Sequence, residues 1–295
     1  MIIRDMLSAP GAPARPNEDV CGGVAERGAA WVIDGATGLA KMPLIAGEDM
    51  TDAAWFSHAA HALLMHNFKK FDDSHAETAV DYVQDILDKT VTEIRAEFDR
   101  SKHRDPVDGS EMPCASLAIA YAPPSGPDVY CFSLGDCPIV LETPEGVVMH
   151  APDPMLVELD RASIAAAAPL LQAGFDFPGV RQKLLPHLAN QRRKINTEDG
   201  YPIFSLDAAA LKGVRHEKFP RKQGGHALIM SDGFSALVDK YGHYNNETLI
   251  AKAKSAGLPA LYDELRFIEN EEDPQGKNFP RLKKSDDASA VLIQL

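Results

Sequence analysis

The period of the hydrophobic pattern changes several times along the chain. AAWVID at 29–34 is a short apolar run closing on an acid, the pattern of a buried strand that delivers Asp34 to its end, and Gly35 opens the turn-like GATGLAK. From Trp55 the spacing becomes helical, with Phe56, Ala60, Leu63, Leu64 and Phe68 recurring. Ser74 and Glu77 form an S-x-x-E capping box for a second helix. Its stripe runs through Val80, Val83, Leu87, Val91, Ile94 and Phe98. Residues 99–113 are polar and read as a loop, after which CASLAIAYA, DVYCFSLGD, PIVLET and VVMHA are short β-rich runs broken by PPSGP and PEG, as in antiparallel hairpins.

The character changes again at 153. Asp153-Pro154 supplies a cap and a first helical position. An Ala-rich helix through Ala168 and Leu171 follows, with Gly174 as its stop. Beyond it the pattern weakens, and Arg192, Arg193 and Lys194 read as exposed. HALIMSD at 226–232 is again a strand, followed by helical stretches from Asn246 to Gly257 and from Pro259. Residues 269–285 are charged and loop-like, and ASAVLIQL is the last strand. No repeat, low-complexity tract or linker-like shift divides the chain, so one domain over 1–295 is expected. Strands in the middle and at both ends, with helix pairs inserted, predict an α+β sandwich rather than alternating βαβ units.

Composition narrows the partners. Asp and Glu total 43 against 30 Lys and Arg, a formal net charge of -13, which disfavours general nucleic-acid binding and fits cations or basic partners. The cysteines Cys21, Cys114, Cys131 and Cys137 form no C-x-x-C pair, so a cysteine zinc site is not expected. No apolar run reaches transmembrane length, and the N-terminus lacks the design of a signal peptide. A cytoplasmic protein without membrane partners is the expectation.

The chemically telling feature is a recurrent acid at the end of apolar strands: Asp34 with Gly35, Asp136 after FSLG, Asp232 with Gly233, and Asp286-Asp287 just before the final strand. Asn17-Glu18-Asp19 precedes another strand-like run. Hard cations such as Mg²⁺ and Mn²⁺ take oxygen ligands, and a sheet brings remote carboxylates together because neighbouring strands lie about 4.8 Å apart. Asp-Gly is also a common turn signal, and Asp105, Asp108 and Asp199 read as turns. His58, His61 and His66 read as helix-surface or half-buried histidines rather than zinc ligands. There is no phosphate-binding G-x-x-x-x-G-K motif and no G-x-S-x-G elbow.

NED at 17–19, WVIDGATG at 31–38, SLGDC at 133–137, IMSDGF at 229–234 and SDDASAVLI at 285–293 resemble, in this order, the motifs of the type 2C family, the metal-dependent serine/threonine protein phosphatases. The resemblance spans about residues 15–294. It implies a four-layer αββα sandwich, two central antiparallel sheets flanked by helix pairs, with metals at one end. It implies two Mn²⁺ or Mg²⁺ ions bridged by Asp34, with Gly35 offering its carbonyl and Asp232 and Asp286 on one cation. Glu18 serves the other mostly through water, and Asp19 stands behind them. Asp136 reads equally as a ligand of a third, looser metal and as a turn residue. The implied reaction is attack of an activated water on a phosphorylated protein. Alternatives are a small-molecule phosphoesterase and a low-turnover regulatory module that binds a partner.

Three departures matter. Ala36 stands where many relatives carry a His proposed to protonate the leaving group. The phosphate-holding Arg position is Ala14, with Arg15 one residue later, which reads equally as a phosphate donor and as a solvated loop residue. Cys137 replaces the usual Ser. The stretch at about 153–225 aligns with nothing in the family pattern and corresponds to its flap, the region that shapes substrate choice.

Overall fold

The computed structural model describes residues 1–39, 42–45, 50–70 and 77–295. Two antiparallel sheets lie face to face. One has the order β2 (Asp19–Val24), β3 (Ala29–Gly35), β4 (Cys114–Tyr121), β5 (Asp128–Leu134), β9 (Arg215–Pro220), with the two-residue β8 (Phe204–Ser205) on β4. The other has the order β1 (Ile2–Ala9), β11 (Ala288–Gln294), β10 (His226–Met230), β6 (Ile139–Thr143), β7 (Gly146–His150).

Side-chain alternation explains the layering. Along β3, Ala30 and Val32 face the other sheet, as does Ala118 of the neighbouring β4, and there they meet Ile139, Ile229 and Val291. Trp31 and Ile33 face outwards onto α1 (Asp52–Lys70) and α2 (Ala79–Ser101), in a core with Phe56, Phe68, Ile86 and Phe98. Small residues thus let the sheets approach, and bulky ones fill the helix side. Both faces are dry, so these strands read as continuous apolar runs. The second sheet is covered by α5 (Asp232–Asp239), α6 (Asn246–Ala256) and α7 (Leu258–Phe267), through Leu228, Phe234, Leu249, Leu261 and Leu265. This is the αββα order the sequence implied.

Two further helices, α3 (Pro154–Gln172) and α4 (Phe177–Arg192), pack on each other at one end, with a small core of Ala167, Leu171, Val180 and Leu184. Asp153 caps α3 as expected, accepting from Met155 N at 2.9 Å. No helix among the described residues is long and apolar enough to cross a membrane.

Some sequence readings shift. Ser74 lies outside the described residues, and α2 is capped instead by Thr78, whose Oγ1 accepts from Asp81 N at 3.1 Å. The helix then runs three residues into the stretch read as a loop, to Ser101. Neither α4 nor α5 was legible. In α4 the buried residues are Val180 and Leu184, too few for a stripe, and Pro186 interrupts the pattern. In α5 the opening Asp-Gly imitates a turn. The strands β1 and β9 were missed too, because their burial patterns carry no fully buried position.

Candidate metal centre

Antiparallel pairing brings the acids to one rim. In the first sheet Asp19 lies opposite Asp34, and Asp34 lies opposite Ser116. Ser116 Oγ donates to Asp136 Oδ1 at 2.6 Å. In the second sheet β10 runs antiparallel to β11, so Asp232, just past β10, and Asp286, just before β11, share an end. The sheets are stitched there by Ser231, which takes Ser289 N on its Oγ at 2.9 Å and hydrogen-bonds the Asp19 side chain.

The glycines that follow Asp34 and Asp232 are not turn glycines. Gly35 is the last residue of β3, and a Cβ on it would come 2.5 Å from the Glu18 carbonyl oxygen. Gly233 is in the first turn of α5, where a Cβ would lie 2.0 Å from the Asp287 carbonyl oxygen. Close backbone approach, not left-handed geometry, requires glycine at both. Asp287, to which the sequence reading gave no role in the metal centre, staples the neighbouring loop by accepting Gly11 N and Glu18 N, each at 2.7 Å. Glu18 itself is buried and accepts from the Thr37 and Thr51 hydroxyls, the latter at 2.7 Å.

Such crowding is electrostatically costly. Burial, reinforced by Asp19, Asp232, Asp136 and Asp286, pushes the Asp34 carboxyl well above the usual range. Asp19 is likewise raised, chiefly by burial, and its Oδ2 is buried with no hydrogen-bond partner among the described residues. Burial and the neighbouring Asp232 lift Asp136 to about 7. Burial acts on Asp232 in the same sense, but the Lys240 ammonium outweighs it and holds this acid below its ordinary value. An orphaned buried carboxylate oxygen among mutually raised acids is what divalent cations with oxygen preference relieve. The carboxylates of Asp34 and Asp136 and the Cys137 thiol all place a ligand atom within 4.8 Å of one another. Burial drives the Cys137 thiol well above its usual value, so it offers a hard cation little. The donor set that fits is the oxygens.

Two cations at the rim carried no sequence signal. Lys240 Nζ lies 3.0 Å from Asp232 Oδ2, and Lys283 Nζ lies 2.6 Å from Asp286 Oδ1. Eight and three residues separate these partners, and only the second is a recognisable helix-like pairing interval. A third is Arg192, read as exposed, which instead spans from α4 to the loop after Gly35. Its Nη1 donates to the Thr37 carbonyl at 3.1 Å and its Nη2 to that of Ala36 at 3.0 Å. Arg193 remains exposed, as expected, and so does Lys194. Between the α3–α4 hairpin and the acids lies a cavity of about 220 Å³, lined in part by Arg181, Arg192, Asp232, Lys240, Lys283 and Asp286. A groove of about 680 Å³ adjoins it along α3, where Asp136, Asp160 and Asp232 meet Phe279 and Pro280.

The helix histidines do other work. His61 Nδ1 accepts from Trp31 Nε1 at 3.3 Å, and its ring fills the space a side chain at Gly22 would need. His58 Nε2 sits 3.4 Å from the Asn17 carbonyl. Arg15 is exposed ahead of β2, close enough for its charge to act on Arg181.

Known proteins resemble this chain in family and in fold. The profile of the family described as Protein phosphatase 2C matches residues 14–256. No curated protein matches the chain significantly. Among solved structures, the Mycobacterium tuberculosis serine/threonine phosphatase PstP/Ppp superposes with a TM-score of 0.57 at 13% identity, covering 100% of this chain and 99% of that one. The catalytic domain of PstP in complex with two manganese ions gives 0.55 at 14% identity, covering 99% and 97%. The photosystem II phosphatase PBCP gives 0.57 at 14%, again covering 99% and 97%. At these identities the structures speak to the fold alone. The family profile, which spans most of the chain, goes further: this protein belongs to the protein phosphatase 2C family of metal-dependent phosphatases.

Proposed function

We propose that this protein, acting as one domain with the α3–α4 hairpin as its flap, hydrolyses phosphoserine and phosphothreonine esters using two divalent cations, Mn²⁺ or Mg²⁺. The observation that carries the reading is the convergence of Asp19, Asp34, Asp136, Asp232 and Asp286 from both sheets on one rim, with Asp19 Oδ2 unpartnered among the described residues. Asp34, the Gly35 carbonyl, Asp232 and Asp286 would hold the pair, Glu18 and Asp19 would support it, and Asp136 would serve a third ion. The manganese-bound relative of the same fold supports the metal choice.

When bound, the cations supply Lewis acidity that readies a water for attack at phosphorus and offsets phosphoryl charge. The chain's own part is positioning. Ser116 orients Asp136, Asp287 fixes the backbone that presents Glu18, and the Thr37 and Thr51 hydroxyls hold the Glu18 carboxylate. The hairpin covers one side of the cavity and sets Arg181, Leu188 and Arg192 over it. With Ala36 in place of a histidine, no side chain at that position protonates the leaving oxygen.

The small volume beneath the hairpin, about 220 Å³, favours a second reading in which small phosphoesters are the substrates. Phosphate release from phosphopeptides and from small esters, with and without Mn²⁺, separates the two. Asp34→Asn is expected to lower Mn²⁺-dependent release by about a thousandfold, the scale of losing a group that organises transition-state charge. Full activity in that variant would remove the bridge and the mechanism with it.

A further inference from the structure

We propose that Arg181, presented by the flap helix α4, is the arginine that grips the phosphoryl oxygens of the substrate. This rests on the phosphatase reading above and names the group that recognises the common part of every substrate. On α4, positions 181, 188 and 192 return to nearly the same side of the helix, because seven and eleven residues are close to whole numbers of turns. Arg181, Leu188 and Arg192 accordingly line the same cavity, facing Asp232, Lys283 and Asp286. Arg192 ties that helix face to the Ala36 and Thr37 carbonyls, directly after the Asp34-Gly35 pair. Arg181 is therefore carried on an element whose distance from the acids is fixed.

The other cations of this cavity are already engaged. Lys240 pairs with Asp232, Lys283 with Asp286, and Arg281 with Asp273 at 3.0 Å. Arg192 is spent on the two carbonyls. Arg181 alone among them has neither an ion pair nor a hydrogen bond to another described residue. It is half-buried, and burial lowers its pKa more than the Glu18 and Asp286 carboxylates, neither within ion-pair distance, raise it, so its charge is held at a cost that no direct partner among the described residues offsets. A guanidinium in that condition suits a planar, two-pronged grip on phosphate oxygens. Arg15, by contrast, is exposed in the loop before β2.

The test is calorimetric titration of inorganic phosphate into the full-length, Mn²⁺-loaded protein, for the wild type, Arg181→Ala, Arg181→Lys and Arg15→Ala. Phosphate Kd is expected to weaken about tenfold in Arg181→Ala, the scale of one charge-assisted bidentate contact. Arg181→Lys should fall between, and Arg15→Ala should lose less than Arg181→Ala. On a phosphopeptide the loss should appear mainly in KM. Circular dichroism checks that each variant is folded, and the lysine variant keeps the charge if the alanine one is not. Unchanged phosphate affinity in both Arg181 variants, or a larger loss in Arg15→Ala, overturns the proposal, as does a wild type that takes up no phosphate. A wild type that binds phosphate through Arg181 yet releases none from any ester would sink the phosphatase reading and leave this one standing.

Discussion

Lys240 places its ammonium 3.0 Å from Asp232 Oδ2, so an acid of the candidate metal centre is already neutralised by the chain itself. A cation arriving at Asp232 has to displace that ammonium, and the pair is only partly exposed, 22% and 28% by side chain, so the contact is not fully screened. Lys240→Met keeps the aliphatic stem and removes the competitor. Its Mn²⁺ dissociation constant, read by calorimetry, is expected to tighten about tenfold, ~1.4 kcal/mol. In EDTA the same variant should melt lower than wild type, because Asp232 then lies unpaired among like charges. Equal Mn²⁺ affinity in the two proteins would show that the lysine does not compete.

The acid cluster also sets the stability of the metal-free protein. Asp34 titrates above its usual range, mainly through burial and then through the other aspartates. A carboxyl raised in the folded state contributes its stability at low pH and loses it as pH climbs past the unfolded value towards the folded one. Asp34→Asn should therefore raise the melting temperature in EDTA at pH 8 by about 2–4 °C per kcal/mol of repulsion removed. The gain should vanish near pH 4, and Mn²⁺ should reverse the order of the two proteins. Differential scanning calorimetry across pH, with and without Mn²⁺, reads all three.

The acids were legible because strand ends are marked by a change from apolar to Asp, and their order along the chain carried the resemblance. Their convergence followed from sheet pairing, which apolar runs do announce. What escaped was the machinery held by tertiary contact. Lys240 and Lys283 look like ordinary surface lysines until the fold sets them on Asp232 and Asp286. Arg192 sits in a basic triplet that reads as solvated, yet it reaches a loop 155 residues earlier. The helix carrying it buries mainly Val180 and Leu184, so the period that would have revealed it is absent. Asp287, adjacent to a residue that was singled out, serves the backbone rather than the centre.

Arg192 makes a prediction of its own. Its two bonds to the Ala36 and Thr37 carbonyls join the hairpin to the rim. Hydrogen bonds from a charged donor contribute roughly 1.5–3 kcal/mol each when buried, and less when partly exposed as here. A loss of ~1.4 kcal/mol in Arg192→Ala corresponds to about tenfold faster opening. Amide hydrogen exchange over Phe177–Arg192 should accelerate by that factor, while exchange in β3 and β4 stays as in wild type. Uniform acceleration across the sheets would mean that the arginine stabilises the whole fold rather than the hairpin.

The last prediction concerns His150, which is fully buried at the end of β7. Its Nε2 is 2.8 Å from Ser133 Oγ and its Nδ1 2.7 Å from Glu217 Oε2. Burial lowers its pKa below the ordinary 6.5 and outweighs the Glu217 carboxylate, which pulls the other way, while Arg215 and His216 add to the lowering. The folded state thus resists a proton that the unfolded chain accepts readily. Its contribution to stability is complete above about pH 6.5 and is lost as pH falls through that value towards the lower folded one. In Mn²⁺, which relieves the acid cluster, thermal melts at constant ionic strength should be flat from pH 8 to 7 and decline below. His150→Gln should start lower, because Ser133 and Glu217 lose their partner, but should decline less steeply on acidification. A parallel decline in the two proteins would assign the acid sensitivity to another group.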